Sequence, residues 1–308
     1  MKKLKLLFIV VVASLCFNSC SDCTDETDTR AITPFDVPTP QEFEQIQTDV
    51  FDGMIQLVQV DVTNGFNYVA ASGVTISISP NCLQINGLPV TGIVDLEIAE
   101  FYDKGEMLIS NTTTVGNIPG AGRDLLISGG AFFIRVSQNG VFASLACSGF
   151  ISVPTGITGG NDPDMLPFSG SVNAAGNLEW TQINGEVNID IDTYYTQFPE
   201  FGWFNIDRFL NDPRPTTAVQ VAVPQEFNSE NTRVYLALQG EPNSLAYLYG
   251  ELPIGLEVHI IFLSESNGDF RYAVETLTLE QDQLVIFTRQ QTEVVTAAVL
   301  KDRINALP

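Results

Sequence analysis

"AFFIRVSQNGVFASLACSGF", residues 131–150, decides the fold. Residues 131–138 and the run that follows 140 are rich in aromatic and β-branched side chains, and they meet at Asn139-Gly140. Asn-Gly is the dipeptide that a two-residue hairpin turn prefers, because both central residues of that turn take positive φ. The stretch therefore predicts an antiparallel hairpin. Upstream, "GVTISISP" (73–80) alternates Val74, Ile76 and Ile78 with Thr75, Ser77 and Ser79, the period-two pattern of a half-buried strand. "GIVDLEIAEFY" (92–102) alternates Val94, Leu96 and Ile98 with Asp95, Glu97 and Ala99 in the same way.

These segments define a first β-sandwich domain at 51–160. "PTGITGGNDPDMLPFSG" (154–170) is dense in turn formers, and the domain boundary is placed within it. Beyond it come "NLEWTQING", "TAVQVAVP", "NTRVYLALQG" and "LEVHIIFLSESNGDFRYAVETLTL", the last with a second hairpin signal at Asn267-Gly268. Helical spacing shows only at the end, where Val295, Ala298, Val299 and Leu300 precede Arg303. The predicted fold is all-β: two β-sandwich-like domains, 51–160 and 161–308, with one short C-terminal helix. The glycine-rich "GNIPGAGRDLLISGG" (116–130) lacks the G-K-[ST] ending of a phosphate-cradling loop and is predicted to be a surface loop.

The N-terminus supplies an address. Lys2, Lys3 and Lys5 precede an apolar run from Leu6 to Phe17. About twelve residues at ~1.5 Å each reach roughly 18 Å, short of a ~30 Å bilayer core, which predicts a signal peptide at 1–19. "FNSC" (17–20) resembles the end of a bacterial lipoprotein signal, with Phe17 where that family usually carries Leu. The resemblance implies that Cys20 is diacylated and begins the mature protein, and two or more acyl chains make a stable anchor. "SDCTDETD" (21–28) resembles the acidic export tether of Bacteroidota-type lipoproteins, which implies an outer-membrane, lipid-anchored, surface-exposed protein. Residues 20–50, with Pro34, Pro38 and Pro40, are predicted to be an extended tether.

"SGVTISISPNCLQINGLPVTGIVDLEI" (72–98) resembles the β-sandwich modules of ankyrins and netrin receptors, and shares the look of Ig-like and carboxypeptidase-regulatory-like modules on bacterial surfaces. "FGWFNIDRF" (201–209) is similar to a segment of uncharacterised Bacteroidota-type surface lipoproteins. Neither likeness implies an activity.

Charge excludes one class of partner. The chain carries 14 basic and 37 acidic residues, a net of −23, and loss of the signal's three lysines leaves 11 against 37, about −26. Phosphate recognition needs clustered Lys and Arg, so nucleic acid is not a partner. Catalytic machinery is also thin. The sequence has one histidine, His259, mid-strand in "LEVHIIFL", with no nucleophile elbow around any serine. No metal or cofactor is predicted. Cys82 is in phase with Ile76 and Ile78, and Cys147 with Val141 and Leu145. Both thiols are expected to point inward, either bonded to each other or as two separate buried thiols.

The functional hint is aromatic. Extended geometry puts Trp203, Asn205 and Asp207 on one face of "FGWFNIDRF", where a ring beside an amide and a carboxylate makes a ligand platform; the same ring also suits a core or a domain seam. Arg208 is expected to pair with a nearby acid. The sequence thus predicts a non-catalytic binding or structural module for a glycan or an envelope protein partner, held to the membrane by its N-terminal lipid. The alternative is a carboxylate-dependent hydrolase of extracellular polysaccharide, a chemistry that needs only two acids at a fixed separation.

Overall fold

Both Asn-Gly pairs form hairpin turns, although at Asn139-Gly140 only Val141 and Phe142 pair back before the chain leaves for the other sheet. In a computed structural model that describes residues 35–120 and 122–308, Asn139 and Gly140 have φ of 52° and 78°, and Asn267 and Gly268 have 55° and 84°. The strand Glu257–Ser266 pairs along its whole length with Asp269–Thr278. Strands make up 49% of the described residues and helices 14%, so the fold is all-β. Cys20 and the signal and tether residues before Phe35 lie outside the described residues.

The N-terminal sandwich packs two sheets face to face. Among the described residues one sheet has eight strands, ordered Gln56–Asp61, Ile93–Phe101, Gly122–Gln138, Gly202–Phe209, Leu166–Val172, Leu178–Gln182 and Val115–Ile118 along its main path. The other has five, ordered Asn188–Asp190, Thr193–Phe198, Gly149–Pro154, Thr75–Ile78 and Phe66–Val69. Between them lies an apolar core that includes Ile76, Leu96, Ile134, Ile151, Tyr194, Phe198 and Phe204. Each of these residues comes from the inward phase of its strand, as period-two alternation requires.

That core relocates the predicted boundary. The strands 166–172 and 202–209 hydrogen bond into the sheet of 93–101 and 122–138, so 160/161 falls inside the sandwich. The breakers at 154–170 mark a crossover from one sheet to the other. Strands of a second β assembly begin at Thr216: a five-stranded sheet built on Thr232–Leu238, Glu257–Ser266 and Asp269–Thr278, and a three-stranded sheet built on Thr216–Ala222. Phe262 meets Phe227 edge-on at 5.0 Å and Phe287 at 5.9 Å. Residues 36–308 form one compact unit.

Two other expectations are corrected. Residues 40–50 are helical, since α1 spans Pro40–Met54. Pro40 sits in the first turn, where its missing N–H costs nothing, and Thr39 and Glu42 cap each other reciprocally. Most of the segment 116–130 is strand: Val115–Ile118 pairs with the start of Gly122–Gln138, and Leu125 to Ala131 are buried. A second short helix, α2 (Lys104–Ser110), packs on the C-terminal helix α3 (Ala297–Asn305), where Gly105 N–H donates to Asn305 Oδ1 at 2.8 Å. Among the described residues no helix is long and apolar enough to cross a membrane, and no group of three His, Cys, Asp or Glu side chains is placed to hold a metal ion.

Candidate functional site

Trp203 stands half-buried in an aromatic cluster, with ring centroids 5.3 Å from Phe51 and from Phe133, 5.7 Å from Phe101 and 6.1 Å from Trp180. Its open edge faces a recess of about 260 Å³ between α1 and the 172–178 hairpin. Asn205 and Asp207, predicted to flank it, are closed to solvent. Phe204 and Ile206 enter the sandwich core, so Asn205 and Asp207 lie on the opposite face, as alternation predicts, but that face is covered at these two positions. The Asn205 amide instead donates to Asp207 Oδ2, and Ser128 Oγ donates to Asn205 Oδ1 at 3.0 Å. The platform reduces to Trp203 alone.

The polar groups around this recess are engaged with one another. Arg233 donates to Gln47 Oε1, Gln47 Nε2 to Tyr235 Oη at 2.9 Å, and Tyr235 Oη to Asn111 Oδ1 at 2.8 Å. Asn111 Nδ2 completes the chain on the Gly176 carbonyl at 2.9 Å. Such a network fixes α1 against both β assemblies, and a ligand entering there would have to replace satisfied hydrogen bonds. The Trp203 recess is therefore a structural seam.

The other predicted residues have structural partners. His259 is buried, with Nδ1 2.8 Å from Thr276 Oγ1 and Nε2 2.9 Å from the Pro308 carbonyl. Arg208 donates to Asp162 at 2.7 Å. Cys82 and Cys147 are joined by a disulfide with Cα atoms 5.2 Å apart. Cys82 is buried, whereas Cys147 is exposed, because the chain leaves extended geometry after Leu145 and the period-two count no longer applies there.

The disulfide leads to a second recess. Two residues past Cys147, Gly149 lies under the Phe198 ring; a Cβ at that position would sit 2.7 Å from Phe198 Cε1. Held at these two points, the strand 149–154 turns Phe150 outward. The neighbouring strand 193–198 buries Tyr194, Thr196 and Phe198 and presents Tyr195 and Gln197 on the same outer face. Phe150 is 46% and Tyr195 44% exposed, high for large rings on a sheet of this length. They border a groove of about 410 Å³ whose far wall is the 184–188 segment, which is tied down where Thr196 Oγ1 donates to the Glu186 carbonyl at 2.9 Å.

Asn184, Asn188 and Gln197 point polar side chains into this groove, and none of the three makes a side-chain hydrogen bond with another described residue. Here, unlike at the Trp203 seam, donors and acceptors stand ready for a ligand. The expected platform missed Phe150 and Tyr195, although alternation within "TYYTQF" (193–198) places Tyr195 and Gln197 together. No protein-family model and no curated protein matches this sequence.

Proposed function

We propose that this protein is a non-catalytic, lipid-anchored module of the bacterial outer membrane that faces outward and binds a glycan or an envelope protein. The observation that supports binding is the pair of exposed rings, Phe150 and Tyr195, beside a groove whose amide side chains are not engaged within the protein. A disulfide and a tightly packed glycine hold that surface rigid, so little ordering is needed when a ligand arrives. Anchoring rests on Cys20 and the acid-rich segment after it, read as a lipoprotein signal and export tether.

Two measurements test the proposal. Proteinase treatment of intact cells, followed by mass analysis of the N-terminal peptide, should find the protein digested and Cys20 acylated, and Cys20→Ser should release it from membranes. Protection from the proteinase would place it on the periplasmic side and remove the outward-facing part of the reading. Incubation with polysaccharides should yield no new reducing ends; their release would favour the hydrolase alternative.

A further inference from the structure

We propose that the groove beside Phe150 and Tyr195 binds an uncharged polysaccharide chain, an assignment that rests on the reading of this groove as the ligand site. The two rings stand on adjacent antiparallel strands, with Phe150 opposite Gln197 and Tyr195 opposite Ser152. Same-face residues in that diagonal relation are about 7–8 Å apart, so one short run of sugar rings reaches both. A pyranose has an apolar C–H face and a rim of hydroxyls. The aromatic faces suit the first, and Asn184, Asn188 and Gln197 suit the second, since each amide offers both a donor and an acceptor to groups that are themselves both. The groove volume, about 410 Å³, falls within the range of small-ligand sites.

Charge selects among glycans. Glu186 is the one charged residue of the lining, and among the described residues no cation borders the groove. The chain as a whole has a net charge of −23. A uronic-acid or sulfated polymer would meet like charge with no compensating Arg or Lys, whereas the Glu186 carboxylate accepts readily from neutral hydroxyls. A protein partner fits less well. Three amides beside two rings would each require a polar group of the right kind at a fixed position on a protein, whereas every hydroxyl of a glycan offers both a donor and an acceptor.

The test is affinity electrophoresis of the detergent-solubilised protein in native gels containing hydroxyethylcellulose, galactomannan or dextran, with polygalacturonate and heparin as acidic counterparts. Retardation is expected in at least one neutral gel and in neither acidic one. Tyr195→Ala and Phe150→Ala should each weaken that binding about tenfold, with the circular dichroism spectrum unchanged, while Tyr195→Phe keeps most of it. Retardation by the acidic polymers would overturn the choice of an uncharged ligand. Should no neutral gel retard the protein while cross-linking on intact cells captures an envelope protein lost in Tyr195→Ala, the glycan assignment fails and the binding reading survives. No retardation together with unchanged cross-linking in Tyr195→Ala overturns both.

Discussion

At Asp207 the side chain is enclosed on every side. Oδ2 accepts from the Asn205 amide, and Oδ1 has no hydrogen-bond partner among the described residues. Desolvation holds this carboxyl well above the usual range, a rise that the nearby Ser128 hydroxyl only partly offsets. The folded state then keeps a proton that the unfolded chain, with an ordinary value of about 3.9, releases. Linkage fixes the sign: stability is greatest below the unfolded value and declines by up to about 1.4 kcal/mol per pH unit as pH rises toward the folded value. Asp207→Asn removes the titration, so its urea midpoint should stay level between pH 4 and pH 8 while that of the parent falls; parallel slopes would show that another group is responsible. Alternation alone placed Asp207 outward with Trp203. What it lacks is the cover over that face: Asn243 exchanges hydrogen bonds with Ser128, the cross-strand partner of Asp207, and nothing local in the sequence announces that contact.

Helices show the opposite balance between local and distant causes. α1 announces itself locally: Thr39, Pro40 and Glu42 make a start signal, and Phe43, Val50, Phe51 and Met54 recur at helical spacing along its packed side. Pro34, Pro38 and Pro40 suit an extended tether equally well, and the capping residues distinguish the helix. α2 has no such pattern, because six of its seven residues are buried, Lys104 included, and a helix enclosed all round has no apolar stripe. Lys104 is accommodated because its Nζ donates to the Leu307 carbonyl at 2.7 Å, and desolvation lowers its pKa. The α2–α3 contact depends on Gly105, where an added Cβ would come within 2.6 Å of Asn305 Oδ1 and against the Lys301 carbonyl. Backbone on one side leaves little room to yield. Gly105→Ala should therefore destabilise by about 1–3 kcal/mol, read as a lower urea midpoint with an unchanged m-value. On α1, Phe43 is 2% exposed under the Arg233 guanidinium, and Phe43→Ala should lose about 3 kcal/mol or more.

Across the whole molecule, strand content, both hairpin turns and the C-terminal helix were legible because each depends on residues close in sequence. The boundary was not, since turn-rich composition looks alike at a domain junction and at a crossover between two sheets. The disulfide closes a separation of 65 residues within the N-terminal sandwich, and loop-closure entropy puts its contribution near 4 kcal/mol; Cys82→Ala with Cys147→Ala should lose up to that amount in urea titration. The two β assemblies are joined by buried main-chain bonds. Lys104 N–H donates to the Pro242 carbonyl at 2.8 Å, Thr114 N–H to Leu245 at 2.6 Å and Ser128 N–H to Asn243 at 3.3 Å, while Ser244 Oγ donates to the Leu126 carbonyl at 2.9 Å. Separating the assemblies would strand these groups, each costing about 1–3 kcal/mol if left unpaired away from water. Neither half can then unfold far ahead of the other, and calorimetry should give one transition whose van't Hoff and calorimetric enthalpies agree. A fragment ending at 160 should not fold, because it lacks Tyr194, Phe198, Phe204 and Ile206 from the sandwich core. Two resolved transitions in the intact chain, or a cooperatively folded 36–160 fragment, would show that the seam is weaker than its hydrogen bonds imply.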